Sequence, residues 1–151
     1  MFDFVKNILG NKEQKVSKSS PGSDGHIALC VLLLEAAYVD GECSASELEH
    51  LQKTLTSTFA IKALDIEDLL AKSRDKREES IDIFHFTRHL NQNFSKEEKV
   101  KLMESVWSII LIDDHLESHE DHFAHKLANL LRLSHKELID AKLAARKQLA
   151  K

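Results

Sequence analysis

An all-α fold is predicted for this 151-residue chain, and three observations predict it: apolar residues recur at helical spacing, breakers are scarce, and helix-start signals repeat. Four glycines and one proline in the whole chain leave few interruptions, and no stretch alternates β-branched or aromatic residues with polar ones in the manner of a strand. The expected architecture is a bundle of about seven helices with an internal pseudo-twofold repeat, preceded by a short N-terminal amphipathic helix.

Along the chain, Phe2, Val5, Ile8 and Leu9 share one helical face and form that N-terminal segment. The stretch NKEQKVSKSSPGSDG, with three of the five glycine and proline residues, reads as a linker. Residues 1–22 are therefore taken as segment plus linker and residues 23–151 as the domain. The first domain helix is expected over 24–39, and others over 64–73, 79–93 and 118–132. Ser44-Ala-Ser-Glu47, Ser95-Lys-Glu-Glu98 and Ser134-His-Lys-Glu137 each fit a capping box, in which a hydroxyl and a carboxylate three residues apart satisfy unpaired N–H groups at a helix start. These three signals place three more helices.

Two helices are apolar nearly all round, HIALCVLLLEAAYV and VKLMESVWSIILI, the signature of central burial. Each runs into an acidic turn, VDGECSASE and IDDHLESHE, and an offset of 73 residues superimposes them. Asp40 then falls on Asp113, and Glu47 on Glu120. Beyond the turns the match decays, since Leu48 meets Asp121 and His50 meets Phe123.

Hydrophobic residues at 42% and charged residues at 30% suit an ordinary packed core. Cys30 and Cys43, the two cysteines, are too few for a disulfide framework and are expected as free thiols. The longest apolar run, Ile27 to Leu34, ends at Glu35, far short of the roughly 20 residues that span a bilayer. MFDFVKNILG lacks the basic start and cleavage site of a signal peptide, so a cytoplasmic location is expected, including one peripheral to the inner face of the membrane. A net charge of −4 gives no surplus for binding a phosphate backbone, and nucleic acid is not an expected partner. A protein partner is, including a membrane protein, along with weak homo-oligomerisation.

An apolar helix running into Val39-Asp40-Gly41-Glu42, with Glu47 seven residues beyond the aspartate and the pattern repeated later, resembles the TerB-like tellurite-resistance family. Asp82-Ile-Phe-His-Phe-Thr87, Trp107 and Leu130-Leu-Arg-Leu-Ser-His135 are similar to a stand-alone bacterial branch of it, and the resemblance covers residues 26 to 145. It implies a helical bundle, an association with tellurite and chemical stress, no catalytic activity, and a divalent-metal site at the paired turns. The positions carried over are Asp40, Glu42, Glu47, Asp113, Glu117 and Glu120. Where the family's second turn reads Asp-Gly, this chain has Asp113-Asp114; aspartate tolerates left-handed backbone better than most residues.

The residues themselves leave two readings of the first turn. A hard cation such as Ca²⁺ or Mg²⁺ takes several oxygen ligands from a short loop, and Asp40, Glu42, Ser44 and Glu47 supply them without the spacing of an EF-hand. Asp40-Gly41 as a helix stop and Glu47 as half of a capping box account for the same residues structurally. At the second turn His115, His119, His122 and His125 are of the type that binds Zn²⁺. His119, His122 and His125 cover about 120° of a helix, opposite Phe123, Leu127 and Leu131, which reads as a solvated face. Asp82, His85 and His89 share another face, on which the two histidines four apart are a zinc-compatible pair without the glutamate of HExxH or a further ligand close in sequence. Phe84, Phe86 and Trp107 are expected in the core. Glu35, in an apolar helix, is expected to reach the surface or pair with a lysine. No phosphate loop, GxSxG motif or partnered cysteine is present, so enzyme is the least favoured class.

Overall fold

The computed structural model describes residues 24–39, 41–79, 82–112 and 118–150. The N-terminal segment, the linker, Asp40 and most of the second acidic turn, residues 113–117, lie outside the described residues. Within them the chain forms seven helices: α1 (Asp24–Ala37), α2 (Ala45–Ser57), α3 (Ala63–Glu79), α4 (Phe84–Asn93), α5 (Lys96–Leu111), α6 (Ser118–Leu130) and α7 (His135–Leu149). No strand occurs among the described residues.

All three expected capping boxes form. The amide of Ser44 donates to Glu47 Oε1 (2.8 Å) and the amide of Glu47 to Ser44 Oγ (3.0 Å). Ser95 with Glu98 and Ser134 with Glu137 repeat the arrangement. Each replaces about 0.5–2 kcal/mol that an alanine at the cap would forfeit.

The two apolar helices are the centre of the bundle. α1 packs against α2, α3, α4, α5 and α6, and α5 against α1, α2, α6 and α7, so both are covered over most of their surface. From Ala28 to Leu34 every residue of α1 is buried. On α5, the fully buried Trp107 donates its indole N–H to the Leu138 carbonyl (3.2 Å), and the Lys142 ammonium lies 5.0 Å from its ring centre. This ties α5 to α7 at a point where apolar burial alone would leave an indole N–H unmet. Lys96 and Glu137 join the starts of the same two helices (3.1 Å).

An offset of 73 carries the bounds of α2, Ala45–Ser57, onto those of α6, Ser118–Leu130. Neighbours repeat too, with α1 packed on α2 and α3 as α5 is packed on α6 and α7. Helices α2 and α6 both end with a non-glycine residue in left-handed backbone just beyond them, Ala60 (φ 57°) and Arg132 (φ 62°). After α6 the amide of Leu133 reaches back to the Ala128 carbonyl (2.9 Å), the six-to-one closure typical of such an end.

Two expectations need correction. The stretch expected over 64–73 continues to Glu79, and α4 begins at Phe84 rather than near 79. The apolar stripe of α3 ends at Leu70 and Ser73, but the charged residues after it are good helix formers, with ion pairs at helical spacing in Lys72–Asp68 (3.1 Å) and Lys76–Glu79 (3.8 Å). Phe84 is 56% exposed, not core. The inner face of α4 is Phe86, Thr87 and Leu90, and two positions earlier is about 200° around the helix.

Candidate functional site

The first acidic turn is built by the way α1 stops. The amide of Gly41 donates to the Tyr38 carbonyl (2.9 Å) and its φ is +96°, a conformation in which an L side chain is strained although open space surrounds the position. The chain then turns into Ser44, whose box with Glu47 starts α2. Glu42 is exposed. Glu47 is buried, 3% exposed, and one of its oxygens is committed to the Ser44 amide. At the second turn, Asp113, Asp114, His115 and Glu117 lie outside the described residues. Glu120 is described, in the first turn of α6 and 5% exposed.

Glu47 and Glu120 are the only buried carboxylates among the described residues, and they are the two that the offset equates. Both sit near a helix N-terminus, where backbone N–H groups and the helix dipole favour a negative charge. The described residues alone do not complete a metal site: no group of three or more histidine, cysteine, aspartate or glutamate side chains among them converges as ion ligands would. A hard cation at either turn therefore requires Asp40, or Asp113 and Glu117, in addition.

The α6 histidines face water, as their spacing predicts. His119, His122 and His125 are exposed while Leu127 and Leu131 are buried. His125 Nδ1 lies 2.9 Å from the Asp121 carbonyl and 3.5 Å from its carboxylate, and its ring is 6.0 Å from that of His135. Around α4, Asp82 caps the helix by accepting from the Phe84 amide (2.9 Å). His85 meets the Phe86 ring edge-on and, with His89, lines a cleft of about 260 Å³ beside Lys76 and Ile27. Glu35 pairs with an arginine rather than a lysine: Arg77 Nε of α3 lies 2.6 Å from its carboxylate, without the alignment of a hydrogen bond, and the guanidinium stacks 4.7 Å from the centre of the Tyr38 ring. Glu35 thus ties α1 to α3. Neither cysteine is in a disulfide. Burial pushes the Cys30 thiol up to about 11, with Ser73 and Arg74 opposing weakly, so it is not a nucleophile at neutral pH.

One polar residue escaped the sequence reading. Lys99 is buried, and its ammonium donates to Asn91 Oδ1 (3.1 Å) and the Leu131 carbonyl (3.0 Å), while Asn91 Nδ2 donates to the Leu130 carbonyl (2.9 Å). Together they satisfy the carbonyl end of α6, where a cation is favoured. Burial, and then the charges of Lys96 and Arg132, lower the Lys99 pKa against the opposing pull of Glu137. The signal was legible: Lys99 begins the stripe continued by Leu102, Met103, Val106 and Ile110, all of them buried.

A family model described as tellurite resistance protein TerB matches residues 26–143. The chain belongs to the TerB family. The TerB match spans both acidic turns and all three capping boxes. No curated protein and no solved structure matches the chain. Among the described residues, no helix of this TerB domain is long and apolar enough to cross a membrane.

Proposed function

We propose that this TerB-family chain is a non-catalytic domain of the tellurite and chemical-stress response that binds a hard divalent cation at its acidic turns. Glu47 and Glu120 are the buried carboxylates of the set, and Asp40, Glu42, Asp113 and Glu117 complete it. The observation that supports this reading is the burial of Glu47 and Glu120 at equivalent places in the repeat. A buried carboxylate is retained where hydrogen bonds or a cation compensate it, and one stands at the same point of both halves. Ca²⁺ and Mg²⁺ both take carboxylate oxygens, Ca²⁺ with the looser geometry that a short loop provides.

Calorimetric titration of the full chain with Ca²⁺ and, separately, Mg²⁺ tests this, with the thermal midpoint followed in parallel. A saturable response is expected, with about 2.7 kcal/mol of added stability at a hundredfold excess over Kd. Glu120→Gln and Asp40→Ala should each remove it, both leaving the Ser44 box in place. A chain that responds to neither ion, or variants that respond as the parent does, overturns the reading. The competing reading, an adaptor docking a protein partner at the inner face of the membrane, draws support from Phe84, a large ring left 56% exposed at the start of α4. Single exposed apolar side chains are ordinary on protein surfaces, and the paired glutamates carry more weight.

A further inference from the structure

Helices that pack together ordinarily put apolar stripes against each other. Where α2 meets α5 this chain does otherwise. His50, Lys53, Thr54 and Ser57 fall at i, i+3, i+4 and i+7 on α2, and Lys101, Glu104, Ser105 and Ser108 fall at the same four steps on α5. Each set is one helical face, and the two line opposite walls of a single cleft of about 260 Å³, which Gln148 closes from the end of α7. Thr54, Ser105 and Ser108 are buried residues there, so the floor of the cleft is polar.

Lys53, Lys101 and Glu104 together leave the cleft with a formal surplus of positive charge. Burial lowers the His50 pKa, helped by Lys53, and burial raises that of Glu104 against the pull of Lys101. Lys53 and Lys101, like several other lysines among the described residues, make no ion pair with a described residue. Ser57 and Ser105 give their hydroxyl protons to the Lys53 and Lys101 carbonyls (2.8 and 2.9 Å). Thr54, Thr58, Ser108 and Gln148 add neutral donors to the same lining as the two lysines. Such a set, rich in donors and with a net positive field, fits an oxyanion. The volume is below the ~300–1,000 Å³ of sites for drug-sized ligands, which limits the occupant to a small one.

We infer that the cleft between α2, α5 and α7 binds a small oxyanion, held between Lys53 and Lys101 and hydrogen-bonded by the hydroxyls of Thr54 and Ser108. The site does not depend on the cation reading of the acidic turns. Inorganic phosphate and tellurite share the required chemistry, and both serve as probes. The full chain is titrated with each at constant ionic strength against chloride, following the thermal midpoint and the His50 ring resonances by NMR. A saturable rise in midpoint with displacement of the His50 signals is expected from at least one oxyanion, and the tighter of the two identifies the source. Binding should weaken at least tenfold in the Lys53→Gln, Lys101→Gln double variant and strengthen in Glu104→Gln. It should be unchanged in Lys126→Gln, an exposed lysine of α6. These lysines are at the surface and Glu104 is only half-buried, so the variants should fold, and circular dichroism checks this. The absence of saturation with both probes, an equal response to chloride, or equal affinities across all variants overturns the site.

Discussion

Leu29 and Leu102 lie 73 residues apart, one on each central helix, and both are fully buried. Gly41 and Asp114 lie the same distance apart and are different residues. Between these extremes, His26 and Lys99 are both buried and polar. Lys99 meets the carbonyl end of α6, while His26 lines a cleft with Thr58, Phe59 and Ala60 at the corresponding end of α2. The two halves therefore keep the apolar spine, a polar residue placed against the end of the following helix, and a buried glutamate after the turn. They differ in the turn itself. The first half has glycine and a serine for its box; the second has Asp114 and, at the place of Ser44, Glu117, which has no hydroxyl. What packs is repeated in kind, and what faces the turn has diverged.

The comparison is broken most directly at the spine. Leu29→Ala and Leu102→Ala each remove a fully buried leucine, and each is expected to cost about 2–5 kcal/mol, read from urea midpoints. Equal losses are expected if the halves share one cooperative core; a loss confined to one variant would show that they do not.

A smaller effect tests the buried polar pair. Lys99→Met leaves the Leu131 carbonyl and the Asn91 amide oxygen without their shared donor, at about 1–3 kcal/mol. Its pH dependence has a definite sign. Because the folded-state pKa of Lys99 lies below 10.5, the unfolded chain binds more protons between the lowered value and 10.5. The stability of the parent relative to Lys99→Met therefore rises with pH across that window. A difference that stays flat or falls there would contradict the burial of a charged ammonium.

The smallest effect lies in the backbone. Gly41→Ala meets no neighbouring atom, so its cost is conformational, about 1–2 kcal/mol. Ala60→Gly, at φ 57°, should act in the opposite direction and raise stability by about 0.5–1 kcal/mol. Thermal midpoints that move the same way for both would show that the left-handed turns are not what sets these energies.

Much of the fold was legible because its signals are local. A capping box closes within three residues, and all three formed where Ser44, Ser95 and Ser134 placed them. The end of α3 was not legible from apolar spacing, because charge pairs on one helix continue it after the stripe stops. The exposure of Phe84 was missed because helical spacing names a face without saying which face is covered. For the candidate site, the sequence equated Glu47 with Glu120, and the fold buried both. It gave no warning of the cleft, because each polar stripe taken alone reads as an ordinary solvated face.

The sequence by itself determined the helices, the capped starts of α2, α5 and α7 and the central place of α1 and α5, since helical propensity, caps and an all-round apolar surface act over one or two turns of chain. Only the tertiary structure decided which polar groups meet. Lys99 reaches a carbonyl 32 residues away, Asn91 one 39 residues away, and the stripes of α2 and α5 face each other across a cleft. Those encounters depend on how helices cross and rotate against one another. Packing of the whole core fixes that geometry, and no single spacing along the chain encodes it.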